Sequence, residues 1–227
     1  MYFLRKQPSE AIKAEALEIK STLDSSAEYQ YFKVLVGYEG VFSDWVPKVQ
    51  EGDLHKQISR DIEQEKTIQE QKTKEYAEEV SAKTYDEWKN RILRYASIQS
   101  NDLSTFQYFG KFLELLAEIH PEISLRLVKE EEESLERFFV PVFLGLLKTK
   151  NRSEAMKMLS AWIDEGKHLY VISKISEYAP DFDKEVVKGV FEKAKQNNDC
   201  DSISRIMASV AAHFSDDTPQ LIEEFFL

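Results

Sequence analysis

The chain has 227 residues, with 30 Lys and Arg against 41 Asp and Glu, a formal net charge of −11. Hydrophobic residues at 42% and aromatics at 12% exclude a disordered chain, and only 7 Gly and 6 Pro leave little turn chemistry for a sheet-rich fold. Cys200 is the single cysteine, which excludes an internal disulfide framework. No run approaches the ~18–20 apolar residues of a membrane-spanning helix. The longest, Phe138 to Leu147, is interrupted by Pro141 and Gly145. At the N-terminus the apolar Tyr2-Phe3-Leu4 precedes Arg5-Lys6, the reverse of a signal peptide. A mostly helical, soluble, cytoplasmic protein with no membrane partner is expected.

Hydrophobic period predicts helix after helix. Residues 9–24 place Ile12, Ala16, Ile19 and Leu23 on one stripe, and residues 27–37 carry Phe32, Leu35 and Val36. Residues 53–83 lack Pro and Gly and hold few apolar side chains (Leu54, Ile58, Ile62, Ile68, Tyr76, Val80). They read as a long polar helix with a thin seam, or else a charged linker. Thr84-Tyr85-Asp86-Glu87 has the capping-box pattern and opens a helix with Tyr85, Trp88, Ile92 and Tyr95 on one face. Ser104-Thr105-Phe106-Gln107 repeats the pattern, and its helix runs to His120, where Pro121 starts the next.

Leu135, Phe138, Phe139, Val142, Phe143, Leu146 and Leu147 keep helical spacing, with a kink or boundary expected at Pro141. Ala155, Leu159, Trp162 and Ile163 line a helix ending at Gly166. Ile172, Ile175 and Ala179 follow before Pro180, then Val186, Val187, Val190 and Phe191, then Ile203, Ile206, Met207, Val210 and Phe214. Thr218-Pro219 opens a last helix with Leu221, Ile222, Phe225 and Phe226. Ile172-Ser173-Lys174-Ile175 recurs as Ile203-Ser204-Arg205-Ile206, and Val186-Val187…Val190-Phe191 as Leu221-Ile222…Phe225-Phe226. Paired helices recurring at ~30–45 residues are the mark of stacked helical repeats.

Hairpins with corners at His120-Pro121, Ala179-Pro180 and Thr218-Pro219 resemble HEAT or armadillo-type repeats over residues 85–227. The passages Glu87-Trp88…Arg91-Ile92, Phe109-Gly110-Lys111-Phe112-Leu113 and Ala161-Trp162-Ile163-Asp164-Glu165-Gly166 are similar, more faintly, to helical-repeat sensor regions of bacterial STAND-type ATPases. The resemblance implies an all-α, right-handed α-solenoid of about four to five hairpins. The expected division is a helical segment at 1–52, a long polar helix or linker at 53–83, and repeats at 84–227. The apolar ending Glu224-Phe225-Phe226-Leu227 lacks the polar cap of a solenoid, as in a fragment of a larger protein or an end covered by a partner.

No catalytic, cofactor-binding or metal-ligating residue is assigned. His55, His120, His168 and His213 share no i, i+4 pair, and no HExxH or cysteine pair occurs. His120 and His213 read as capping residues. Cys200, in Asn197-Asn198-Asp199-Cys200-Asp201, sits among carboxylates that disfavour a thiolate. The run Glu130 to Glu133 reads as a solvated helix face, with an electronegative patch for a basic partner or a divalent cation as the sharper alternative. Basic clusters at Arg91–Arg94, Lys148–Arg152 and Lys184–Lys195 raise backbone binding to nucleic acid, as in DNA-alkylation-repeat glycosylases, which the charge of −11 opposes. Trp45 stands apart from the stripes, whereas Trp88 and Trp162 fall on them and read as core. The expected function is a non-enzymatic protein-interaction, scaffold or sensor module, with nucleic-acid binding as the alternative.

Overall fold

In a computed structural model the residues described are 10–37, 54–100, 106–179, 181 and 183–213, with side chains from 63 onward in the second of these stretches. They form α1 Glu10–Asp24, α2 Ala27–Val36, α3 Leu54–Glu79, α4 Tyr85–Ala96, α5 Gln107–Ile119 and α6 Pro121–Glu130. The chain continues as α7 Glu132–Leu135, a 3-10 turn Glu136–Phe138, α8 Phe139–Leu147, α9 Arg152–Glu165, α10 Leu169–Tyr178, α11 Lys184–Asn197 and α12 Cys200–Ala212. The fold is all-α, with no strand among the described residues. None of the described helices is long and apolar enough to cross a membrane. Trp45, the Ser104-Thr105 cap, Phe214 and the Thr218 helix lie outside the described residues, as does the His55 side chain.

The chain divides into two units, Met1–Lys72 with Asp102–Tyr108, and Thr73–Asn101 with Phe109–Leu227. In the first, Ser26 caps α2 by accepting from the Tyr29 amide, and Val34, Leu35 and Val36 are buried. The Gln69 amide, itself buried, donates to the Val34 carbonyl at 2.8 Å and so satisfies a helix-end acceptor. Helix α1 forms where its stripe predicts, yet Ile12, Leu17, Ile19 and Leu23 are 40–67% exposed. Periodicity fixes the helix, and burial needs a second surface.

The second unit holds an aromatic core. Residues 73–80 bury Thr73, Tyr76, Ala77 and Val80, so a buried threonine fills a place where the seam looked sparse in sequence. Tyr85, Trp88, Ile92 and Tyr95 of α4 are buried as their spacing predicts. Trp88 stacks on Phe112 at 5.3 Å, and Phe109 meets Phe138 edge-on at 4.8 Å. The Thr84 capping box does not form. Thr84 has φ −101° and ψ 4°, its hydroxyl donates to the Glu79 carbonyl, and it accepts from the Ser81 amide at 2.9 Å. Glu87 instead pairs with Arg91 one turn on. Closing the turn after α3 outcompetes capping α4.

Pro121 occupies the first position of α6, where a missing N–H costs nothing. The stripe from Leu135 to Leu147 is buried throughout, but it runs over α7, the 3-10 turn and α8 rather than one helix. The boundary lies at Phe139, leaving Pro141 in the first turn of α8. Gly145 allows α8 to cross α5 closely, because a Cβ there would stand 2.3 Å from the Glu114 carbonyl oxygen. Helix α9 ends on Gly166 at φ +74°, the left-handed closure that glycine adopts most readily.

The last four helices pack in alternation: α9 against α11 and α10 against α12, with α11 also touching both α10 and α12. Ile175 and Ile206, equivalent in the recurring tetrapeptides, are both buried. The stripe of α12 differs from expectation. Met207 is 47% exposed, and Ser202, Ile206, Ser209 and Val210 form the buried row. The two serines carry the small volume that a close helix contact admits, which hydrophobic spacing alone does not register.

Candidate functional site

The acidic run falls at the end of α6 and in α7, where its first three members are all engaged. Glu130 accepts from Arg126 Nε at 2.6 Å, from Lys89 Nζ at 2.9 Å and from the Tyr85 hydroxyl at 2.8 Å. Arg126 also lies 3.9 Å above the Tyr85 ring, and Lys89 bridges on to Glu131 at 2.6 Å. Hydrogen bonds from Arg126, Lys89 and Tyr85 hold the Glu130 carboxyl down at about 2. Burial and then the bond to Glu130 push the Tyr85 phenol up to about 12. Hydrogen bonds to Glu131 and Glu130 hold the Lys89 ammonium above its ordinary range.

Glu132 turns the other way, to His168. The imidazole Nε2 lies 3.0 Å from Glu132 Oε1 and Nδ1 lies 2.9 Å from Glu136 Oε1. Both carboxylates accept, so a neutral ring serves one of them and an imidazolium serves both. The ring sits edge-on to Trp162 at 4.7 Å and to Phe139 at 5.2 Å, with its side chain 11% exposed. His168 itself occupies φ +53°, a conformation it holds between the left-handed end of α9 and the start of α10. The bond from His168 holds the Glu132 carboxyl below its ordinary range.

Beside this cluster, α6 and α9 enclose a groove of about 400 Å³. Val128, Met158 and Trp162 supply its apolar lining, and Lys129, Lys157, Glu132 and Glu154 its charged lining. Among the described residues the side chains of Lys129, Lys157 and Glu154 make no hydrogen bond or ion pair. Several other charges on this unit are paired: Lys148 with Glu114 and Glu118, Lys150 with Glu122, Arg152 with Asp181, and Lys167 with Glu165. A second hollow lies over Tyr170, Asp199, Asp201 and Arg205.

The remaining candidates stay separate. Cys200 is exposed and opens α12, where Asp199 caps by accepting from the Ser202 amide and hydroxyl. His120 precedes α6 without capping it through its side chain, and its Nε2 is buried without a hydrogen bond. His213 does work at a helix end, its two nitrogens facing the Ser209 and Ala179 carbonyls at 3.1 and 3.2 Å. Among the described residues no three His, Cys, Asp or Glu side chains are arranged to hold a metal ion. Trp88 and Trp162 are 3% and 5% exposed, in the core. Of the clusters raised for nucleic acid, Arg91 pairs with Glu87 and the Lys148–Arg152 segment pairs as above, while in the Lys184–Lys195 segment Lys195 lies over the Phe191 ring at 5.9 Å.

Sequence reasoning missed the His168 cluster and the groove. Glu132 and Glu136 at i, i+4 imply a shared counter-group, but its location 32–36 residues downstream is a tertiary fact. Comparison with protein-family models, curated proteins and solved structures finds no significant match for this chain.

Proposed function

We propose that the chain is a non-enzymatic interaction module, a HEAT-like, right-handed solenoid in its second unit that recognises a protein partner on its helical surface. The observation that carries this reading is the alternating packing of α9 on α11 and α10 on α12, in which each hairpin buries its stripe against the next. Such stacking leaves long exposed helix faces and grooves between hairpins, the surfaces with which repeat proteins bind. The setting consistent with this role is the cytoplasm, with Cys200 reduced. The net charge of −11, together with the carboxylate partners of Arg91, Lys148, Lys150 and Arg152, favours a protein over a nucleic acid.

The test is photo-crosslinking in the source cell from a benzophenone amino acid at Tyr170, which is 43% exposed on α10, and at Met158 on α9, with and without nuclease. A protein adduct at either position that survives nuclease is expected. Adducts to nucleic acid alone, or none at either position, would refute the reading.

A further inference from the structure

We infer that α1 is a self-association element, pairing in parallel with the α1 helix of a second copy of this chain as a short coiled coil. The inference is independent of the interaction surface proposed above, which lies on the second unit. Ile12, Ala16, Ile19 and Leu23 follow one another at spacings of four, three and four residues, the d–a–d–a run of two heptads. All four are exposed, the three large ones by 40% or more. A 15-residue helix is marginal in water unless its apolar seam packs on something, so α1 calls for a covering surface.

The charges flanking the seam match a second copy. With Ile12 and Ile19 at d and Ala16 and Leu23 at a, Glu15 takes a g position and Lys20 the following e position. A parallel pair sets g of one helix against the next e of the other, so Glu15 meets Lys20 of the second copy, and symmetry repeats the bond. Lys20 also bonds Asp24 on its own helix at 2.9 Å, and an ammonium with three donors serves both carboxylates. Antiparallel pairing sets g against g, which leaves Glu15 opposite Thr22 with no cation to gain. A lipid surface is a poorer cover, because α1 carries four acidic residues against two lysines and anionic headgroups repel it. Leu23 at a with isoleucine at d also admits a third or fourth helix, which makes the same contacts.

Sedimentation velocity of the full chain over a concentration series tests the inference. Self-association is expected with a midpoint on the order of 100 μM, the scale of an interface smaller than about 1,200 Å². Ile19→Glu abolishes it, and Ala16→Ile, which fills an a layer, tightens it about tenfold or more. Glu15→Lys and Lys20→Glu each set like charges face to face and weaken it about tenfold, whereas the double variant Glu15→Lys/Lys20→Glu restores it. The substituted residues are exposed, so the fold survives each change, which circular dichroism verifies. In a Cys200→Ser background, Ile12→Cys oxidises to a covalent dimer, because parallel d positions face each other. A monomer at concentrations well above that midpoint overturns the inference, as does association that Ile19→Glu leaves unchanged. A double variant no stronger than the single ones overturns it too, and so does Ile12→Cys crosslinking only to Leu23→Cys, the antiparallel arrangement.

Discussion

Replacing Gly145 with alanine probes the close crossing of α8 and α5. The added Cβ would lie 2.3 Å from the Glu114 carbonyl oxygen, 3.1 Å from its carbon and 2.8 Å from the Ala117 Cβ. The nearest atom is an α5 backbone oxygen and the next a Cβ with no rotamer to change, so no side chain can swing aside and α5 must move from α8 by nearly an ångström. Overpacking of this kind costs about 1–3 kcal/mol, and a backbone obstacle places it at the upper end. Alanine in place of glycine returns about 0.5–1 kcal/mol of helix propensity. The net expectation is a loss of about 2 kcal/mol, or a fall in Tm of about 4–8 °C for a unit of this size.

Two sister substitutions separate packing from propensity. At Gly110 the nearest atom to a new Cβ is Pro141 Cγ at 3.8 Å, so Gly110→Ala is stabilising by about 0.5 kcal/mol. At Gly189 the neighbour is the Ile163 Cγ2 methyl at 3.2 Å, which can yield, so Gly189→Ala is close to neutral. Urea unfolding followed by tryptophan emission reads the event directly, since Phe112 of α5 stacks on Trp88 and Phe143 of α8 packs on Trp162 at 5.3 Å. If Gly145→Ala unfolds at the wild-type midpoint or above it, the close crossing and the reasoning built on it are wrong.

His168→Ala removes two carboxylate contacts and the ring packing on Trp162 and Phe139 while leaving a β-carbon at φ +53°, and it is expected to cost about 2–3 kcal/mol. His168→Gly recovers only the backbone part, and equal midpoints for the two variants would show that no strain resides there. Gly166→Ala places a side chain at φ +74° with its Cβ 2.9 Å from Asn197 Nδ2, costing about 1–2 kcal/mol by the same assay. The Glu130 carboxyl is depressed from 4.5 to about 2, so its contribution is complete above about 4.5 and is lost as pH falls toward 2. Glu114 acts in the same direction. Burial opposes its ionisation, but hydrogen bonds from Lys148 and Lys111 outweigh it and hold the carboxyl low. Urea midpoints should therefore decline below pH 4.5, and Glu130→Gln should flatten that decline; parallel wild-type and variant curves would refute the assignment.

The sequence by itself determined the helices, their order and most of the buried stripes. Tyr85, Trp88, Ile92 and Tyr95, or Val186, Val187, Val190 and Phe191, are legible because the 3.6-residue period is a local property of the backbone. Chain-local chemistry also placed the corner at Pro121 and the closure at Gly166. It did not determine which stripes are buried, as exposed Leu17 and Ile19 and the serine-bearing row of α12 make plain. Nor did it pair the charges. Tyr85 and Lys89 reach Glu130 and Glu131 across more than forty residues, and His168 reaches Glu132 and Glu136 across more than thirty. Only the tertiary structure decided which carboxylates are paired and with which cation. Charge pairing depends on the distance between helices in space, and a sequence records only the distance along the chain.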